Sequence, residues 1–280
     1  MFKTAAESFR KSNGLLSAQF VGRGAFKETF RVRNRKGKIF ALKIYDPEKC
    51  DLARSEREIN AVRKCNSRLI ARLFEYGDFF TEEGKRKFFF CLEEYLSGGT
   101  LSERIKKGPL SPKVVRSYAL DLTDALEHLE TRELVHRDIK PDNIMFRKGV
   151  NVPILVDFGI VKDLSQLSLT PTWIPSGPGT PYYAAPEQLL NEKHLIGWRT
   201  DQFGVGIVLG ICLTGIHPFH KEGMNSVQVV RSVSQRERCT EGFVDRVSSL
   251  GLGWLVRMIQ PWPHHRFNTI RELKNAIKEQ

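Results

Sequence analysis

The run HRDIKPDNIMF, His136 to Phe146, holds an acid, a lysine and an amide within one short stretch. Phosphoryl transfer asks a protein for positioning and for neutralisation of phosphate charge rather than for covalent work. Asp138 can orient a hydroxyl nucleophile and accept its proton. Lys140 can reach a transferring phosphate, and Asn143 offers a neutral oxygen to a magnesium ion. HRD alone is a weak signal and would suit an incidental polar loop; the full run is specific. VDFG, Val156 to Gly159, follows an apolar stretch. Asp157 there suits Mg²⁺, which prefers hard oxygens and few protein carboxylates. Upstream, VGRGAFKETF, Val21 to Phe30, keeps Gly22 and Gly24, which let backbone approach phosphate closely. Lys27 stands where such a loop would carry a third glycine.

These residues need a scaffold, and the pattern supplies one. Residues 17–22, 28–34, 38–45, 68–78 and 87–95 read as strands broken by glycine-rich or charged turns, with a helical pattern over 51–64. SGG at Ser97 to Gly99 punctuates the chain. Beyond it, Pro112 opens a long helical pattern reaching about Glu130. Residues 164–182 are rich in Ser, Thr, Pro and Gly and read as a loop. Phe203 to Ile216, uncharged and largely apolar, is too short for a membrane span and suits a buried helix. The expected class is α+β and bilobal, a small β-rich first lobe with one main helix and a larger helical second lobe, with a cleft between them. The expected boundaries are an extension over 1–14, a first lobe about 15–95, a hinge about 94–99 and a second lobe about 100–280. The extension can form a short amphipathic helix through Phe2, Ala6 and Phe9.

Composition narrows the class. The 280 residues carry a formal net charge of +12, unevenly spread: residues 1–50 hold twelve Lys/Arg against four Asp/Glu. RVRNRKGK, Arg31 to Lys38, is the densest part and reads as the solvated face of a strand and turn. The remaining reading is a docking surface for an acidic partner; no recognition helix or zinc-finger spacing points to nucleic acid. The five scattered cysteines include no CxxC pair, which argues for free thiols in a reducing, cytoplasmic setting.

Taken together the motifs resemble those of eukaryotic-type Ser/Thr protein kinases, from about Leu15 to about Ile277. The resemblance implies ATP and Mg²⁺ (or Mn²⁺) as cofactors and a protein as substrate. It makes Asp138, Lys140, Lys43, Glu58 and Thr180 catalytic, and Asn143 and Asp157 metal ligands. Nucleotide contacts fall at Gly22, Arg23, Gly24, Ala25, Phe26, Lys27, Thr29, Ala41, Lys43, Glu94, Leu96 and Met145. Lys43 of FALK would hold the α- and β-phosphates and pair with Glu58, which shares a helical face with Val62 and Cys65. Glu94 and Leu96 would meet adenine through their backbone. GTPYYAAPE, Gly179 to Glu187, matches the end of an activation segment; Thr180 would bond Asp138 and Lys140, and Glu187 would pair with Arg266. Asp201 would brace the HRD loop, and Arg137 would receive a phosphate on the activation segment, Ser176 being the first candidate.

Two departures stand out. Thr29 replaces the usual valine. Glu93, at a position normally apolar, places a carboxylate where it can compete for Lys43. Together with Lys27 they sustain a second expectation, a pseudokinase acting as a nucleotide-binding interaction module. A small-molecule kinase is a third, opposed by the GTPYYAAPE segment and the Glu187/Arg266 pairing.

Overall fold

The computed structural model describes residues 1–24, 27–45, 59–60, 62–81, 86–158 and 180–279, and divides into two units, the first ending at Ser97. Ala25, Phe26, Glu58 and Ser176 lie outside the described residues, as does the Thr180 side chain.

In the first unit, β1 (Ser17–Arg23), β2 (Lys27–Arg33), β3 (Ile39–Tyr45), β4 (Leu73–Phe80) and β5 (Lys87–Glu94) form one antiparallel sheet in the order β1-β2-β3-β5-β4. Strict alternation in β2 buries Glu28, Phe30 and Val32 between less buried neighbours, while IFALKIY of β3 is buried almost throughout, as a central strand should be. The turn between them closes on Asn34, whose side chain accepts the Lys38 N–H at 2.9 Å. β4 begins at Leu73 rather than at 68; Leu69, Ile70 and Ala71 before it are buried. Of the helical pattern over 51–64, Ile59, Asn60, Val62, Arg63 and Lys64 are described; the first four are helical and Lys64 lies in a turn.

Residues 1–14 are not a loose extension. Helix α1 (Phe2–Ser12) turns Phe2, Ala5, Ala6 and Phe9 onto the sheet, where they join Phe30, Val32, Leu42, Ile44, Phe88 and Phe90 in one apolar cluster. Phe9 packs against Phe90 at 4.6 Å and Phe79 at 5.2 Å between ring centroids. The helix stops at Asn13, and Gly14 takes φ +60°, so that the Leu15 N–H reaches back to the Arg10 carbonyl at 2.9 Å. That is the six-residue closure glycine favours.

The second unit is mostly helical: α2 (Leu101–Ile105), α3 (Pro112–Glu130), α4 (Pro186–Leu189), α5 (Trp198–Thr214), α6 (Ser226–Ser234), α7 (Glu241–Ser249), α8 (Trp254–Met258) and α9 (Ile270–Glu279). Two short strands, β6 (Ile144–Met145) and β7 (Ile154–Leu155), pair antiparallel beside them. Ser111 caps α3 and Pro112 takes its first position. α5 is buried nearly all round, in line with its uncharged run from Phe203 onward. Its Gly206 passes so close to Ile259 that a Cβ would sit 2.6 Å from a side-chain carbon. Among the described residues no helix is long and apolar enough to cross a membrane. Cys65, Cys91, Cys212 and Cys239 are free thiols.

Candidate active site

The loop between α3 and β6 is fixed from several sides. The Asp201 carboxylate, buried at the start of α5, accepts the His136 N–H at 2.6 Å and the Arg137 N–H at 2.9 Å. Burial pushes Asp201 up to about 7, and these two donors pull against that rise. His136 accepts the Asp138 N–H on Nδ1 at 3.3 Å and lies 3.0 Å from the Val156 carbonyl through Nε2. One nitrogen accepting and one donating makes it the neutral Nε2–H tautomer. Gln188 of α4 donates to the Arg137 carbonyl at 2.9 Å. Arg137 is thereby held at φ +65°, a left-handed conformation that costs about 1–3 kcal/mol and persists only when its surroundings enforce it.

Within this frame two donors converge on one oxygen. Lys140 Nζ lies 2.9 Å from Asp138 Oδ2, and Asn143 Nδ2 donates to the same oxygen at 2.8 Å and to the Asp138 carbonyl at 2.9 Å. Asn143 therefore turns its amide nitrogen to Asp138 and its Oδ1 away. Its carbonyl accepts the Val156 N–H at 3.0 Å, which ties it to the residue before Asp157. Asp157 also has positive φ, +67°. One amide and one carboxylate oxygen suit Mg²⁺, which keeps phosphates and waters as its other ligands. No cluster of three His, Cys, Asp or Glu occurs among the described residues, so a site built from protein ligands alone is not in view there.

Farther along this unit, Glu187 and Arg266 form a two-pronged ion pair, 2.7 Å and 2.9 Å, with both side chains wholly buried. Arg266 also donates to the carbonyls of Arg199, Gln260 and Pro261. His217 holds the Tyr182 carbonyl at 2.9 Å through Nε2 and accepts the Phe219 N–H on Nδ1, so it too is the neutral Nε2–H form. Burial drives His217 down to about 3, helped slightly by His220. An unfolded histidine takes up a proton near pH 6.5 that the folded one refuses, so stability is full above about pH 6.5 and falls as pH drops toward 3. We expect the unfolding free energy from urea titrations to decline over that window by up to ~1.4 kcal/mol per pH unit, and His217→Gln to flatten the decline. An unchanged slope in the variant would exclude His217 as its source.

In the first unit, Thr29, Ala41 and Lys43 alternate with the residues that face α1. Lys43 Nζ meets Glu93 Oε2 at 2.5 Å, with 7% and 15% of the two side chains exposed. The competitor that the sequence raised for Lys43 is thus in contact with it; its expected partner Glu58 lies outside the described residues. Lys27 has no positive φ and needs none of a glycine's freedom. Its ammonium sits over the Tyr45 ring at 5.6 Å. Arg23 closes the hairpin onto buried Glu28 at 2.6 Å. Leu96 is buried, and the Glu94 N–H donates to the Arg72 carbonyl at 2.8 Å. In the second unit Met145, in β6, bridges Thr100. Gln188 and His217 carried no motif signal of their own, although Gln188 directly follows the Glu187 that did.

Residues 16–276 match the family model described as the protein kinase domain. The chain belongs to the protein kinase family. Similar proteins include the CBL-interacting serine/threonine-protein kinase 20 of Arabidopsis thaliana, 29% identical over 92% of this chain and 57% of the relative. The CBL-interacting serine/threonine-protein kinase 19 of the same plant is 31% identical over 89% of this chain and 50% of its own length. CBL-interacting protein kinase 26 of Oryza sativa subsp. japonica is 29% identical over 91% and 50%. The kinase chain spans about half the length of the curated relatives it matches. Membership in this family, with an antiparallel sheet unit followed by a helical one, agrees with the α+β class expected from the pattern.

Proposed function

We propose that the chain transfers the γ-phosphoryl group of ATP, with Mg²⁺ or Mn²⁺, to serine and threonine hydroxyls of protein substrates, its own included. The observation that carries this reading is the Asp138 carboxylate, aimed by Lys140 and Asn143 on a loop clamped by Asp201. Held so, Asp138 can accept the proton of an incoming hydroxyl as it attacks phosphorus. Lys140 offsets negative charge beside it. Asn143 and Asp157 would hold the metal ion, whose contribution is to neutralise phosphate charge. Lys43 would steady the nucleotide phosphates, and Arg137 would receive a phosphate at Ser176.

The relatives' printed names describe serine/threonine kinases that interact with CBL proteins; we carry over only the substrate class. An acidic protein segment fits the basic strand and turn of the first unit, where Arg33, Arg35, Lys36 and Lys38 are exposed. Free thiols favour a cytoplasmic setting.

The test is a mass-spectrometric phosphorylation assay of the wild type beside Asp157→Ala, with ATP and Mg²⁺ and a mixed protein substrate. We expect phosphoserine or phosphothreonine on substrate and on residues 160–180 with the wild type, and none with the variant. ATP binding without turnover by the wild type would point instead to a nucleotide-binding interaction module.

A further inference from the structure

Glu93 is a carboxylate near the end of the sheet's β5, 15% exposed, in a position where burial demands a partner. Its partner comes from the neighbouring strand. β3 and β5 pair from Phe40 with Glu94 through to Tyr45 with Phe89, which sets Glu93 opposite Ala41 and Lys43 opposite Cys91. Lys43 and Glu93 are therefore diagonal neighbours on one face, the arrangement in which long side chains of adjacent strands meet. The β3–β5 ladder that sets the two Cα positions is continuous from Phe40 to Tyr45, whereas the β4–β5 ladder shifts register between Leu73 and Glu75, beside Glu93. Whatever else Lys43 touches, this contact holds its ammonium from within the sheet.

We propose that Glu93 is a positioning residue for Lys43: from its place on β5 it fixes where the phosphate-binding ammonium sits before nucleotide arrives. The proposal rests on the kinase reading above for its functional part, and on the 2.5 Å contact for its structural part. The opposite role, a carboxylate that withholds Lys43 from phosphate, predicts the opposite sign.

Two variants separate these. Glu93→Gln keeps the shape and one oxygen acceptor without charge; Glu93→Leu removes both and suits a buried site. Two readouts are taken on the full chain. The first is acylation of Lys43 by an N-hydroxysuccinimide ester without nucleotide, followed by mass spectrometry of the Lys43 peptide. The second is kcat/KM for ATP. We expect Lys43 acylation about tenfold faster in Glu93→Leu, with kcat/KM lowered about tenfold, a change of ~1.4 kcal/mol, and Glu93→Gln between it and the wild type on both. A purely structural role predicts that the apolar variant behaves like the wild type. Acylation within about twofold of wild type, or a rise in kcat/KM, overturns the proposal. If the wild type transfers no phosphate, the kinase reading fails by itself, and the acylation comparison still decides whether Glu93 holds Lys43.

Discussion

Arg266→Met is expected to destabilise the second unit by about 3–5 kcal/mol, because it strands the Glu187 carboxylate in a site with no exposure to water. The guanidinium satisfies more than one acceptor. It binds both Glu187 oxygens and three backbone carbonyls, including that of Arg199 immediately before the start of the Asp201 clamp. Phosphoryl transfer should fall beyond what the loss of folded protein explains, since Gln188, adjacent to Glu187, donates to the Arg137 carbonyl in the loop itself. The double variant Glu187→Leu/Arg266→Met removes both charges and should cost less than the two single losses summed. Urea unfolding of the wild type, the two single variants and the double variant measures this directly. A single-variant loss under about 1 kcal/mol would mean that water enters to replace the partner.

The second large effect concerns α1. Phe9→Ala should cost the first unit about 3–5 kcal/mol, the range for removing a buried aromatic ring that its surroundings cannot refill. Phe9 is 3% exposed and touches rings from β4 and β5. Amide hydrogen exchange should accelerate in β2, β3 and β5 while α3 and α5 stay protected, because their core contains no residue of α1. Uniform acceleration across both units would show that they unfold as one. No acceleration anywhere would make the helix dispensable.

How much of this the sequence disclosed depended on how local each feature is. The HRDIKPDN loop, the uncharged run from Phe203 that leads to Gly215 and the Pro112 helix start are written in contiguous residues, and periodicity or motif spacing exposes them. The Lys43 partnership is not local. Glu93 comes fifty residues after Lys43, and their meeting depends on strand register, so the sequence could place a carboxylate nearby without choosing between it and Glu58. The face of α1 was likewise legible in Phe2, Ala6 and Phe9, while the surface it covers was not, since an apolar stripe states that it will be buried and not against what. Lys27 was judged by the glycine it replaces; its contact with Tyr45 follows from pairing directly opposite it across β2 and β3.

The docking of α1 also sets an order of events during synthesis. Phe9 is made some seventy to eighty residues before its ring partners Phe79 and Phe90 and the neighbouring Phe88. At about 5–20 residues per second, the helix waits roughly 4–16 s with its aromatic face uncovered. During that interval the nascent chain displays an apolar helix face before the sheet that covers it has been made.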